Sequence, residues 1–106
     1  MTVSSRMKQV SVYINEADEW KGRPLHLEIL QMLHREGVAG GTVIRAVAGF
    51  TGAGGVQTTS LVDTGGKLPL VVQCVDSEEN VTRVLPQLRR MAPARLITVT
   101  DVEVVP

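Results

Sequence analysis

Apolar and polar residues alternate near the start of the chain, with Val10, Val12 and Ile14 set against Gln9, Ser11 and Tyr13. A period of two with β-branched residues on one side predicts a half-buried strand beginning at Lys8. Asn15 to Gly22 is charged and closes on glycine, so it reads as a connecting loop. Trp20 within it covers the edge of the sheet or of a helix. From Pro24 the period changes. Leu25, Ile29, Met32 and Leu33 fall on one helical face while Glu28, Gln31 and Arg35 fall on the other. Proline suits the first helical turn, where its missing N–H has no partner to lose, and Gly37 suits the left-handed residue that stops a helix.

Thr42 to Phe50 is β-branched and reads as a second strand, with Ala46 and Ala48 leaving room above the sheet. The glycine-rich segment Thr51 to Gly66 follows and predicts a mobile loop or a bent two-stranded extension. Leu68 to Asp76 is almost continuously apolar, as expected of a central strand, with Pro69 near its start. Ser77 then caps a helix whose first turn carries Glu78 and Glu79 and whose apolar face is Val81, Val84, Leu85, Leu88 and Met91. Pro86 lies inside that helix and predicts a kink. Pro93 ends it, and Arg95 to Val105 forms the last strand.

The order is βαββαβ. It predicts an α+β fold of the ferredoxin-like, split-βαβ kind: a four-stranded antiparallel sheet with both helices on one face. Residues 1–7 are expected to be a flexible tail and 8–106 a single domain. The opposite face of the sheet is partly apolar, so a second copy of the chain is the simplest cover for it.

Charge changes this picture in one respect. Lys plus Arg and Asp plus Glu are equal at 11 each, so no net field draws in nucleic acid or an anionic membrane. The absence of basic stripes with interleaved aromatics points the same way: the chain is not expected to bind nucleic acid. The single cysteine, Cys74, lies within an apolar strand, reads as a small buried hydrophobe, and excludes an internal disulfide. With a polar start at Met1–Met7 and no long apolar run, the sequence reads as cytoplasmic.

Catalytic chemistry is not visible. His26 and His34 stand eight apart on one helix and cannot share a metal within a subunit. No nucleophile elbow or phosphate-binding lysine loop occurs. The Gly52-Ala-Gly-Gly55 run has backbone N–H groups that could form an anion nest once ordered, yet it lacks the lysine and the following helix of a phosphate loop. The chain therefore reads as a non-enzyme with no catalytic and no metal-binding residues.

The stretch Gly37, Gly40, Thr42, Val43, Val47, Gly49 and Phe50 resembles, in register, the centre of the PII signal-transduction proteins. Thr51 stands where those proteins have glycine, and Gly52-Ala53 replace an Arg-Gln pair. The chain from about Lys8 onward is more similar to a PII-like family, domain of unknown function 190. It shares Tyr13-Ile14 followed by acidic residues and Trp20, Gly22-x-Pro24-Leu25, Gly37-Val-Ala-Gly40-Gly-Thr42-Val43, Gly49-Phe50, Leu68-Pro69, Val75-Asp76-Ser77-Glu78 and Leu85-Pro86-x-Leu88. It departs where Gly55-Val56-Gln57 replaces an Arg-Ile-His sequence. The resemblance implies a homotrimer with clefts between subunits near the base of the 51–66 loop. It implies an adenine nucleotide as ligand, held by Gly40, Gly41, Thr42, Gly49, Phe50, Thr51 and Gly52. It also implies a loop presented to a partner, such as a membrane transporter or channel or another regulated protein. With Arg45 the only cation in the central stretch, a nucleotide of few phosphates is expected in preference to ATP. Two other readings stay open: a ligand-free interaction trimer, and a metal-binding trimer of the same fold, against which the scattered His and Cys residues argue.

Overall fold

The structure is a computed structural model that describes residues 5–62 and 67–106, with the side chains of Leu61 and Val62 left aside. It opens with β1 (Ser5–Asn15) and a two-residue hairpin, β2 (Glu19–Trp20) and β3 (Arg23–Pro24). Helix α1 (Leu25–Arg35) and strands β4 (Thr42–Arg45), β5 (Ala48–Gly49) and β6 (Gln57–Thr58) follow. The one-turn helix α2 (Thr59–Val62), strand β7 (Pro69–Asp76), helix α3 (Glu78–Met91) and strand β8 (Leu96–Val104) complete the chain. The main sheet is antiparallel in the order β4-β7-β1-β8. This is the expected ferredoxin-like architecture.

One face of the sheet builds the core. Val10, Val12 and Ile14 of β1 and Leu70, Val72 and Cys74 of β7 meet Leu25, Ile29, Met32 and Leu33 of α1 and Val81, Val84 and Leu88 of α3. The period of two picks out Val10, Val12 and Ile14 and the helical period the residues of α1 and α3, whereas in the almost continuously apolar β7 the structure selects Leu70, Val72 and Cys74 for the core side. Trp20 and Leu85 pack partly against the same cluster.

Local chemistry explains the helix ends. After α1, the Gly37 N–H donates to the His34 carbonyl and the Val38 N–H to the Leu33 carbonyl, each at 3.1 Å, while Gly37 has φ +77°. That is a Schellman stop, and it needs the left-handed residue that glycine supplies. Ahead of α3, the Ser77 hydroxyl accepts from the Asn80 N–H at 3.2 Å. Helix α3 runs on through Pro86.

Four boundaries differ from the sequence expectation. β1 begins at Ser5, because Ser5, Arg6 and Met7 pair with Val104, Glu103 and Val102 of β8. Pro24 precedes α1 as its N-cap residue and lies in β3, and the preceding loop contains the small β2–β3 hairpin. The segment 42–50 is two strands: after the Ala46 N–H bonds the Pro69 carbonyl at 3.0 Å, Pro69 has no N–H to continue the ladder. β5 then pairs with β6, Ala48 opposite Thr58 and Gly49 opposite Gln57, so the start of the long connection is a bent two-stranded extension. The expectation of mobility for this connection falls in part on residues 63–66, outside the described residues. Among the described residues, no helix is long and apolar enough to cross a membrane.

Candidate functional site

The strand register sorts the face of the sheet opposite the helices. One row across all four strands is Ile44, Val71, Tyr13 and Leu96. The next is Thr42, Gln73, Ser11 and Thr98, tied by a hydrogen bond from Gln73 Nε2 to Ser11 Oγ at 3.2 Å. The apolar row is open to solvent: Leu96 is 62%, Ile44 48% and Tyr13 40% exposed, and Phe50 beside them is 63% exposed.

Six of the seven residues expected to bind a ligand fall into two groups at the two ends of β4. Gly40, Gly41 and Thr42 line a shallow recess with Gln9, Gln73 and Val75. Phe50, Thr51 and Gly52 line a larger cleft of about 390 Å³ with Tyr13, Pro69, Arg95 and Leu96. Gly49 belongs to β5 and lines neither. A Cβ on Gly49, whose φ is +156°, would stand 3.2 Å from Pro69 Cγ, so glycine is required there by the chain's own packing. At Gly41 a Cβ would stand 3.0 Å from Leu30 Cδ2, the end of a flexible side chain that would have to shift. Gly40 differs: no atom lies within 4 Å of its Cβ position.

Each group is anchored by an acid that sequence inspection passed over. At the larger cleft, Asn15 to Asp18 act as a junction. The Glu16 N–H donates to the Leu68 carbonyl at 3.1 Å, and the Leu68 N–H returns a bond to the Glu16 carboxylate at 3.0 Å. The same carboxylate pairs with the Arg45 guanidinium. Asn15 Nδ2 reaches Thr51 Oγ1 at 3.3 Å. Asp18 holds Arg95 through two bonds, 2.8 Å from Nε and 2.6 Å from Nη2. The Arg45 guanidinium, with help from the Leu68 N–H, holds the Glu16 carboxyl below the ordinary glutamate range against the opposing effect of burial. Asp18 in turn raises Arg95 above its usual value.

At the other end, Asp76 accepts from the Ala39 N–H at 2.8 Å, the Ser77 N–H at 2.6 Å and Asn80 Nδ2 at 2.9 Å. Burial pushes its pKa up, but these donors outweigh burial and leave the carboxyl below its ordinary range. The segment carrying Gly40 and Gly41 is thereby pinned to the start of α3. The only sequence signals for these anchors were an acidic cluster after β1 and an acid ending β7. Neither names its partners, which lie 52 residues away for Glu16 and Leu68 and 37 for Asp76 and Ala39.

A sheet in this order, with α1 and α3 on one face and a long connection rising between its edge and central strands, defines the ferredoxin-like class. Solved structures share the fold. CPII, a nitrogen regulatory PII-like protein from Thiomonas intermedia K12, bound to ADP, AMP and bicarbonate, matches with a TM-score of 0.74 at 20% identity, over 100% of this chain and 94% of that one. CPII bound to ADP and bicarbonate matches with a TM-score of 0.72 at 20% identity, over 100% and 95%. The chain belongs to the DUF190 family, described as "Uncharacterized ACR, COG1993", whose model matches residues 7–104. A UPF0166 protein of Methanocaldococcus jannaschii is 35% identical over 100 residues, 93% of this chain and 92% of that protein. A UPF0166 protein of Aquifex aeolicus is 30% identical over 100 residues, 94% of each.

Proposed function

We propose that the chain is a cytoplasmic PII-like regulator: a homotrimer that binds an adenine nucleotide between subunits and presents its β4–β7 connection to a partner protein such as a transporter or channel. The observation that carries this reading is the solvent-open row Ile44, Val71, Tyr13 and Leu96, which crosses the whole outer face between the two groups of candidate residues. An apolar row of this kind favours a second copy as its cover. Gly40 to Thr42 and Phe50 to Gly52 line separate recesses in one chain. A neighbouring subunit is the natural way to bring one group of each against the other. The ADP and AMP bound in the CPII structures support an adenine nucleotide as the ligand.

Charge favours a ligand with few phosphates. Of the cations beside the larger cleft, Arg45 and Arg95 are already paired with Glu16 and Asp18, and Lys67 acts on the same Glu16 carboxylate. AMP or a cyclic nucleotide should therefore bind more tightly than ATP.

Light scattering combined with calorimetry tests the reading. The particle should contain about three chains, and Leu96→Glu should leave the monomer folded while lowering particle mass and abolishing nucleotide binding. Gly40→Ala, with open space at its Cβ position, should weaken nucleotide binding without lowering stability. A monomer at all concentrations would refute the intersubunit site. A trimer that binds no adenine nucleotide at millimolar concentration would leave the ligand-free interaction module.

A further inference from the structure

On the helix side of the sheet, away from the recesses above, a cleft of about 280 Å³ opens between α1, α3 and the turn of the β2–β3 hairpin. Its lining includes Trp20, Met32 and Met91, and three cations reach it from three different elements: Lys21 from the turn, Arg35 from α1 and Arg90 from α3. We propose that this cleft is a binding site for a compact polyanion, a multivalent carboxylate or a phosphate group, distinct from the nucleotide site.

Three observations converge on it. Five cations, Lys8, Arg23, Arg45, Arg83 and Arg95, each pair with a carboxylate and Arg89 donates to backbone carbonyls, while Arg6 and Lys67 form no carboxylate ion pair among the described residues but do not line a cleft with another cation. Among the described residues, Arg35 and Arg90 have no hydrogen bond or ion pair, and Lys21 has only the Trp20 ring, 5.5 Å from its Nζ. The one acid in the lining, Glu28, is answered by Arg23 at 3.6 Å. Unpaired like charges gathered around one concave surface repel one another, and an anion placed among them relieves that repulsion. The last turns of α1 and α3 offset part of the cost for Arg35 and Arg90. Lys21 has no helix end to do so.

The turn itself is the second observation. Lys21 and Gly22 are the two loop residues of the hairpin, with φ of +53° and +79°. Positive φ at both positions is the type I′ requirement, for which asparagine or glycine is preferred at the first. Lysine there is the only non-glycine residue with positive φ among the described residues. It carries a local backbone cost and brings an ammonium to the cleft. The third observation is Trp20, which is only half-buried and leaves aromatic surface in the lining beside that ammonium.

Trp20 is the only tryptophan, so its emission reports on this cleft directly. The full-length protein is titrated with pyrophosphate and, separately, with citrate at constant ionic strength. A saturable change in Trp20 emission with either anion is expected, and which anion acts separates phosphate from carboxylate chemistry. Lys21→Asn suits the turn, so it should match or exceed the parent's thermal stability while weakening anion binding tenfold or more. The double variant Arg35→Gln with Arg90→Gln should weaken it at least as much. The proposal is overturned if neither anion gives a saturable change, if sodium chloride of matched ionic strength gives the same change, or if both variants bind as the parent does. It is also overturned if a glutamate-rich peptide saturates the signal while both small anions fail, which would make the cleft a protein-docking surface. None of these readouts depends on adenine nucleotide binding.

Discussion

Removing the Glu16 carboxylate should release the base of the long connection, and the cost can be worked from its contacts. In Glu16→Ala the Leu68 N–H loses its acceptor at 3.0 Å, on a residue that is only 1% exposed. A hydrogen bond to a charged acceptor is worth about 1.5–3 kcal/mol, and a buried donor left unpaired sits toward the upper end. The Arg45 pair adds little, because its guanidinium side chain is 52% exposed and such pairs contribute about 0–1 kcal/mol. The backbone bond from the Glu16 N–H to the Leu68 carbonyl survives. The total is about 2–3 kcal/mol, or roughly 8–12 °C at about 4 °C per kcal/mol for a domain of this size. Arg45→Ala removes only the exposed pair and should cost less than about 1 kcal/mol. Urea denaturation and thermal melts at one fixed protein concentration measure both, since assembly would make Tm concentration-dependent. The pH dependence follows from the lowered folded-state pKa of Glu16. Its contribution is complete above the ordinary glutamate pKa of about 4.3 and is lost as pH falls through the lower folded value. The gap between the parent and Glu16→Ala should therefore close on acidification. Equal losses for Glu16→Ala and Arg45→Ala, or a gap that widens toward low pH, would refute this account of the junction.

The anchor at the other end should behave in parallel. Asp76→Asn should loosen the segment carrying Gly40 and Gly41, seen as faster hydrogen exchange at the Ala39 amide, with the parent's advantage again lost at low pH because Asp76 is held below its ordinary range. Ser77→Ala removes the cap on the Asn80 N–H and should cost about 1 kcal/mol in denaturant unfolding. Two glycines separate packing from ligand chemistry: Gly49→Ala should destabilise through its φ of +156° and Pro69 Cγ at 3.2 Å, whereas Gly40→Ala should be nearly neutral in a thermal melt. Ile29→Ala, at a fully buried position, should cost about 2–5 kcal/mol by chemical denaturation.

The sequence by itself determined the elements whose causes are local. The alternation of Val10, Val12 and Ile14, the Leu25–Leu33 stripe between Pro24 and Gly37, and Ser77 ahead of two glutamates each carry their own periodicity or cap. The main sheet and its two principal helices followed from these. Resemblance then placed Gly40 to Thr42 and Gly49 to Gly52 together as one site, since motif spacing records which residues recur and not what separates them in space. The tertiary structure decided the rest. It broke the 42–50 strand at Pro69, a residue on another strand whose missing N–H ended the ladder. It extended β1 back to Ser5 because β8 offered Val102 to Val104 as partners. It also gave Glu16 and Asp76 their roles and gathered Lys21, Arg35 and Arg90 around one cleft. These arrangements depend on donors, acceptors and charges far apart along the chain, and no local period marks which of them will meet.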